Sequence, residues 1–157
     1  MSYRNKTYVI FDADTDIKWY RLMTAWKEND NIDFDFHNAH DLNNLLKSSS
    51  EETIKGKLRE RLHNTKQAIV LVGENTKNLY KYVRWEIEVA ISMDIPIIAV
   101  NLDKSNKATD KTPSILKNRA YFVSVPFEQK KIKHALDKFP AEYHENKSKA
   151  PSSRFYS

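Results

Sequence analysis

Three clusters of side chains in this chain have the types and spacing to do chemistry. The first is a carboxylate in an aromatic, amphipathic stretch, Tyr80-Lys81-Tyr82-Val83-Arg84-Trp85-Glu86-Ile87-Glu88-Val89-Ala90. Val83, Ile87 and Ala90 recur at helical spacing, which puts Glu86 on the shoulder of the buried face and Glu88 well round toward solvent. A shoulder carboxylate beside Tyr82 and Trp85 is partly desolvated, so its pKa rises, and it can lie against a flat aromatic ligand or a sugar. The plainer reading is an ion pair with Lys81, Arg84, Arg59 or Arg61.

The second cluster is Asp12-Ala13-Asp14-Thr15-Asp16. A calcium loop needs glycine at its sixth position and a bidentate acid at its twelfth, and these are Ile17 and Met23. A phosphatase pattern of the haloacid type fails at its fifth position, Asp16. A phosphoacceptor of the receiver type has no Asp in Val72-Gly73-Glu74. An acidic loop remains, with Asp14 or Asp16 as a helix N-cap in the plainer account. The third cluster is His37-Asn38-Ala39-His40-Asp41. Two histidines at this spacing supply half a zinc site, and no third ligand follows at a known interval, so no metal is expected. These residues read as the polar rim of a ligand pocket or as a surface turn.

The elements that must position these clusters alternate in type. Thr7–Phe11 reads as a strand buried on both faces, and 17–29 as a helix with Tyr20, Leu22 and Met23 apolar. Asp33–His37 alternates like an edge strand, and 38–50 reads as a loop. Ser50 caps a helix over 51–64 with Ile54, Leu58 and Leu62 inward, although Ser49 with Glu52 fits the capping box better. Ala68–Gly73 is a third strand and leads by a polar turn into the helix of Glu86. Pro96–Val100 is an all-apolar central strand, followed by a polar loop, a short helix at 114–118, a strand at 121–125 and a last helix over 127–139. Five strands alternating with helices imply one α/β domain, a flavodoxin-like five-stranded parallel sheet with helices on both faces. It is expected to occupy residues 1–141, with 142–157 a polar, disordered tail. In such sheets ligands bind at the C-terminal ends of the strands, where Glu86, Asp12 and His37 would gather.

Composition narrows the function. With no cysteine among 157 residues there is no thiol nucleophile, disulfide or cysteine metal site. Two glycines, Gly56 and Gly73, cannot build a dinucleotide-binding or P-loop cradle. The longest apolar run, Ile95–Val100, is too short for a bilayer, and no leader sequence is recognisable, so a cytoplasmic protein without membrane contact is expected. The net charge is +5, of which +3 falls in 128–157. That is the pattern of a solvated helix face more than of a nucleic-acid interface, so nucleic acid is not an expected partner.

Tyr82-Val83-Arg84-Trp85-Glu86-Ile87, after Val70-Leu71-Val72-Gly73-Glu74-Asn75-Thr76, resembles the TIR-like domain of Thoeris antiphage-defence systems. Val9-Ile10-Phe11-Asp12, Phe34–Asp41 and Ile97–Asn101 are similar to the same family, and the likeness runs from Tyr8 to Phe139. The resemblance implies a TIR fold and NAD as substrate, with no resident cofactor. It implies cleavage of the nicotinamide–ribose bond and formation of a cyclic or conjugated ADP-ribose. That diffusible signal would reach a separate effector protein. It carries the catalytic role to Glu86, stacking on the ligand to Tyr82 or Trp85, the nicotinamide border to Phe11, Asp12 and Asp14, and the opposite border to His37, Asn38, His40 and Asp41. TIR enzymes often complete their sites between protomers, so a homo-oligomer is compatible with it. Two features depart from the pattern. Tyr82 stands where many TIR enzymes have tryptophan, and the usual loop after the second strand is not recognisable. A non-catalytic interaction module and a deoxyribosyltransferase relative are the competing readings.

Overall fold

A computed structural model describes residues 6–12, 15–28, 35–37, 50–78, 82–146 and 152–155. The strands are β1 (Lys6–Ile10), β2 (Asp35–His37), β3 (Thr65–Val72), β4 (Ile97–Asn101), β5 (Tyr121–Pro126) and β6 (Ser152–Phe155). The α-helices are α1 (Ile17–Glu28), α2 (Glu51–Arg61), α3 (Tyr82–Ser92), α4 (Ser114–Arg119) and α5 (Gln129–Asn146), with a 3-10 turn at Thr76–Asn78. All strands pair in parallel in the order β2-β1-β3-β4-β5-β6.

Alternation along the strands divides the core in two. Tyr8, Ile10, Ala68, Val70, Val72, Ile97, Ala99 and Phe122 face α2, α3 and α4. Val9, Phe11, Ile69, Leu71, Ile98, Val100, Val123 and Val125 face α1 and α5. Because both faces are covered, β3 and β4 are buried almost throughout, which is why they read as continuous apolar runs rather than alternating ones.

Three expectations are corrected. The described sheet has six strands, not five, and the sixth comes from the segment read as a disordered tail: Ser152–Phe155 lies beside Tyr121–Ser124 of β5. The last helix runs through Pro140 to Asn146 instead of stopping at Phe139. Proline removes one backbone hydrogen bond, but the extra turn buries Tyr143, whose hydroxyl donates to Asp94 Oδ1 at 3.0 Å. Leu22 is exposed at 42 %. The buried side of α1 is Met23 with the partly buried Trp19, Tyr20 and Trp26. Ser50 is the N-cap of α2, accepting from the Thr53 N–H at 3.2 Å, and Ser49 lies outside the described residues.

The chain leaves β1 toward β2 on one side and reaches β3 on the other. The sheet therefore reverses its strand order between β1 and β3. Crevices at such switch points, outside the carboxyl ends of the strands, are where open α/β sheets take ligands. Asp16, beyond β1, and Gly73, directly after β3, approach one another there.

Candidate functional site

Glu86 sits one turn into α3, and the helix packs its Val83, Ile87, Val89 and Ala90 into the core beneath it. Its side chain turns toward the sheet further than the shoulder position suggests, and the residue is only 4 % exposed. Its described partner is a phenol: the Tyr8 hydroxyl of β1 donates to Oε2 at 2.5 Å. Among the described residues no ion pair reaches it, and the expected bridges to Arg84, Arg59 and Arg61 are not formed. Lys81 lies outside the described residues. Burial pushes the Glu86 carboxyl up to about 8, against the downward pull of the Tyr8 hydrogen bond.

The basic side chains collect instead on Glu88. Lys55 reaches it at 3.0 Å, Arg119 at 3.6 Å and Arg84 at 3.9 Å, and the carboxylate is 19 % exposed rather than solvated. Lys55 also holds Glu51 at 2.7 Å. This network ties α2, α3 and α4 together on the outside of the helix layer and leaves Glu86 apolar surroundings on the inside. Two acids two residues apart thus serve opposite ends, one clamping helices and one without a counter-charge among the described residues.

At the mouth of the switch point Asp12 and Asp16 are 6 % and 7 % exposed. Thr15 donates to Asp12 Oδ2 at 2.6 Å, and the Asp16 N–H donates to the Asp12 carbonyl at 2.8 Å. Asp16 Oδ2 has no hydrogen-bond partner among the described residues. Desolvation first, then the neighbouring Asp12, hold the Asp16 carboxyl above its ordinary range. Its carboxylate lies over Gly73, where a Cβ would come within 2.4 Å of Oδ2. Gly73 is therefore set by that close approach and not by a positive φ. Thr76 fixes the facing turn: its hydroxyl accepts from the Gly73 N–H at 2.9 Å and donates to the Leu71 carbonyl at 3.1 Å. Outside it, Lys111 joins Glu74 at 2.7 Å to Asp103 at 3.3 Å.

The other residues singled out from the sequence are placed unevenly. Phe11 stacks on Tyr20 with ring centroids 5.1 Å apart and belongs to the core of the α1 face. Trp85 is partly buried against the core of the opposite face. Tyr82 opens α3, and His37 ends β2 in register with Tyr8, but the side chains of both lie outside the described set. Asp14, Asn38, His40 and Asp41 lie outside the described residues. Among the described residues no three acidic or histidine side chains converge as metal ligands. A shallow cleft beside the 3-10 turn is lined by Thr76, Lys77, Val83, Arg84, Ile87 and Ile115, and Glu86 is not part of its lining. No helix among the described residues is long and apolar enough to cross a membrane.

One residue escaped the sequence reading. Tyr8 looked like one more strand residue, although a buried tyrosine hydroxyl needs a partner and an otherwise apolar strand offers none. Asp16 was read as part of an acidic loop or as a helix N-cap, and its approach to Gly73 was not foreseen. A family model described as the TIR-like domain of Thoeris protein ThsB matches residues 8–107, a span that opens at Tyr8 and includes Asp12, Asp16, Gly73 and Glu86.

Proposed function

From the premise that this chain belongs to the Thoeris ThsB family of TIR-like domains, and so to an antiphage-defence context, we propose that it is an NAD-processing enzyme. In this reading it breaks the nicotinamide–ribose bond and turns the ADP-ribose into a cyclic or conjugated signal for a separate effector. The observation that carries the reading is Glu86: a carboxyl enclosed on α3, without a counter-charge among the described residues, inside the matched span.

The chemistry follows from the charge that develops. When the glycosidic C–N bond breaks, its electron pair leaves with the nicotinamide nitrogen, and neutral nicotinamide departs. The anomeric carbon is left oxocarbenium-like and positive. A fixed carboxylate in an apolar surround stabilises that charge more than it stabilises the ground state, which is what accelerates the step. The carboxylate can also accept from the ribose hydroxyls, as carboxylates do in glycoside cleavage. A hydroxyl of the same molecule, or of an acceptor, then bonds to the anomeric carbon and loses its proton. Among the described residues no salt bridge competes for Glu86, and the cationic nicotinamide ring of an approaching substrate favours its ionised form.

The same burial favours a second reading, a non-catalytic TIR interaction module, because the Glu86 carboxylate meets no described cleft. One experiment separates the two. Small molecules are profiled by mass spectrometry from phage-infected cells carrying wild type or Glu86→Gln, with both proteins shown to be folded and abundant. An ADP-ribose-type species made by wild type alone supports the enzyme. The same species in both strains removes Glu86 from the chemistry, and none in either supports the module.

A further inference from the structure

Tyr8 is fully buried at the middle of β1, on the sheet face that α3 covers. It is the described hydrogen-bonding partner of the candidate catalytic carboxylate, 78 residues away in sequence. A tyrosine costs more than an aliphatic residue at such a position unless its hydroxyl is satisfied, and here Glu86 satisfies it. The bond is short and directed to one oxygen, Oε2. We infer that Tyr8 is the positioning residue for Glu86, a role that rests on the NAD-cleaving reading: its phenol pins Oε2, fixes the rotation of the carboxyl plane and leaves Oε1 to meet the sugar.

The contact also sets ionisation. A phenol that donates to a carboxylate stabilises the charged form, in opposition to burial, and both effects act on Glu86. The surrounding charges do not substitute for it. On α2, Lys55 is engaged with Glu51 and Glu88; on α4, Arg119 is engaged with Glu88; on α3 itself, Arg84 is engaged with Glu88. On β2, His37 is in register with Tyr8, and its side chain is outside the described set. Tyr8 is thus the group in direct contact with Glu86 that holds the acid closer to its working form.

The test replaces the hydroxyl alone. Tyr8→Phe keeps the ring in the core and should raise the Glu86 pKa by about one unit, the worth of one hydrogen bond to a charged group. Carbonyl infrared difference spectra across a pH titration, with Glu86→Gln identifying the band, read that shift without any need for activity. In the NAD assay, the rising limb of the pH profile should move the same distance upward. Turnover near pH 7 should fall roughly tenfold, with recovery at alkaline pH and a smaller change in KM. A ring-fluorinated tyrosine at position 8, a more acidic donor of nearly the same size, should move both curves the other way, which covers the case in which Tyr8→Phe does not fold. An unmoved Glu86 band, or a loss of turnover equal at every pH, overturns the proposal. If wild type forms no product but the band still shifts, the enzyme reading fails and with it the positioning role.

Discussion

Replacing Glu86 by glutamine should make the protein more stable at alkaline pH, by an amount that the burial of this group sets. In the folded protein the carboxyl is raised from 4.5 to about 8. At about 1.4 kcal/mol per unit this is a linkage of roughly 5 kcal/mol, an upper figure because water entry and local relaxation reduce it. The sign is fixed by proton binding. The folded state holds the proton more tightly than the unfolded chain. Stability from this group is therefore full below pH 4.5, falls as pH rises, and levels off above about 8. Glutamine cannot ionise, so that loss disappears. Its oxygen can still accept from Tyr8, while its amide N–H groups bring a burial cost of about 1–3 kcal/mol. The net gain near pH 8.5 is then about 2–4 kcal/mol, and near pH 4.5, where the ionisation cost is absent, the amide leaves a net loss of about 1–3 kcal/mol. Urea melts of both proteins across this range measure it, and for a chain of this size each kcal/mol moves Tm by about 2–4 °C. Parallel stability curves for wild type and Glu86→Gln between pH 5 and 8.5 would refute the claim that Glu86 is enclosed and uncharged at rest.

If Glu86 acts as a carboxylate, NAD cleavage should rise with pH toward about 8, with the midpoint drawn lower by the cationic nicotinamide ring beside it; a flat profile over this range counts against it. Gly73→Ala places a Cβ against the Asp16 carboxylate and should cost about 1–3 kcal/mol, and Asp16→Ala in the same chain should recover most of that in a double-mutant cycle. Glu88→Ala strips Lys55, Arg84 and Arg119 of a shared partner and should cost about 1–2 kcal/mol in denaturant melts, leaving the Glu86 titration in place. Deleting 152–157 uncovers the β5 edge, where the Ser152 N–H now donates to the Ala120 carbonyl at 3.1 Å. Light scattering should then show self-association, because an unpaired parallel edge is a template for another chain.

Periodicity and local turn chemistry carried the elements. The four-residue repeat of Ile54, Leu58 and Leu62 marked α2, and Ser50 marked its start. The apolar runs of β3 and β4 marked strands covered on both faces, and from these the doubly wound class followed. Ser152–Phe155 was not legible as β6, because a short polar strand has no hydrophobic period and exists by pairing with β5. The helix end expected at Phe139 fell short for a related reason: Pro140 removes one backbone hydrogen bond, and the burial of Tyr143 beyond it outweighs that loss.

The candidate site divides along the same line. By itself the sequence determined that α3 would bury one face, that Glu86 would lie near it, and that no glycine-rich cradle or cysteine chemistry was available, because these depend on residue type and on spacing within one element. Which basic groups would neutralise which acid was decided by tertiary structure. Lys55 from α2 and Arg119 from α4 converge on Glu88, and Tyr8 from β1 reaches Glu86. Ion pairs and hydrogen bonds fall off within a few ångströms, so partners that lie tens of residues apart in the chain exist only once the sheet has brought their elements together. The pKa of Glu86 is a property of that assembly, since the solvent it loses is excluded by β1 and the helix layer jointly.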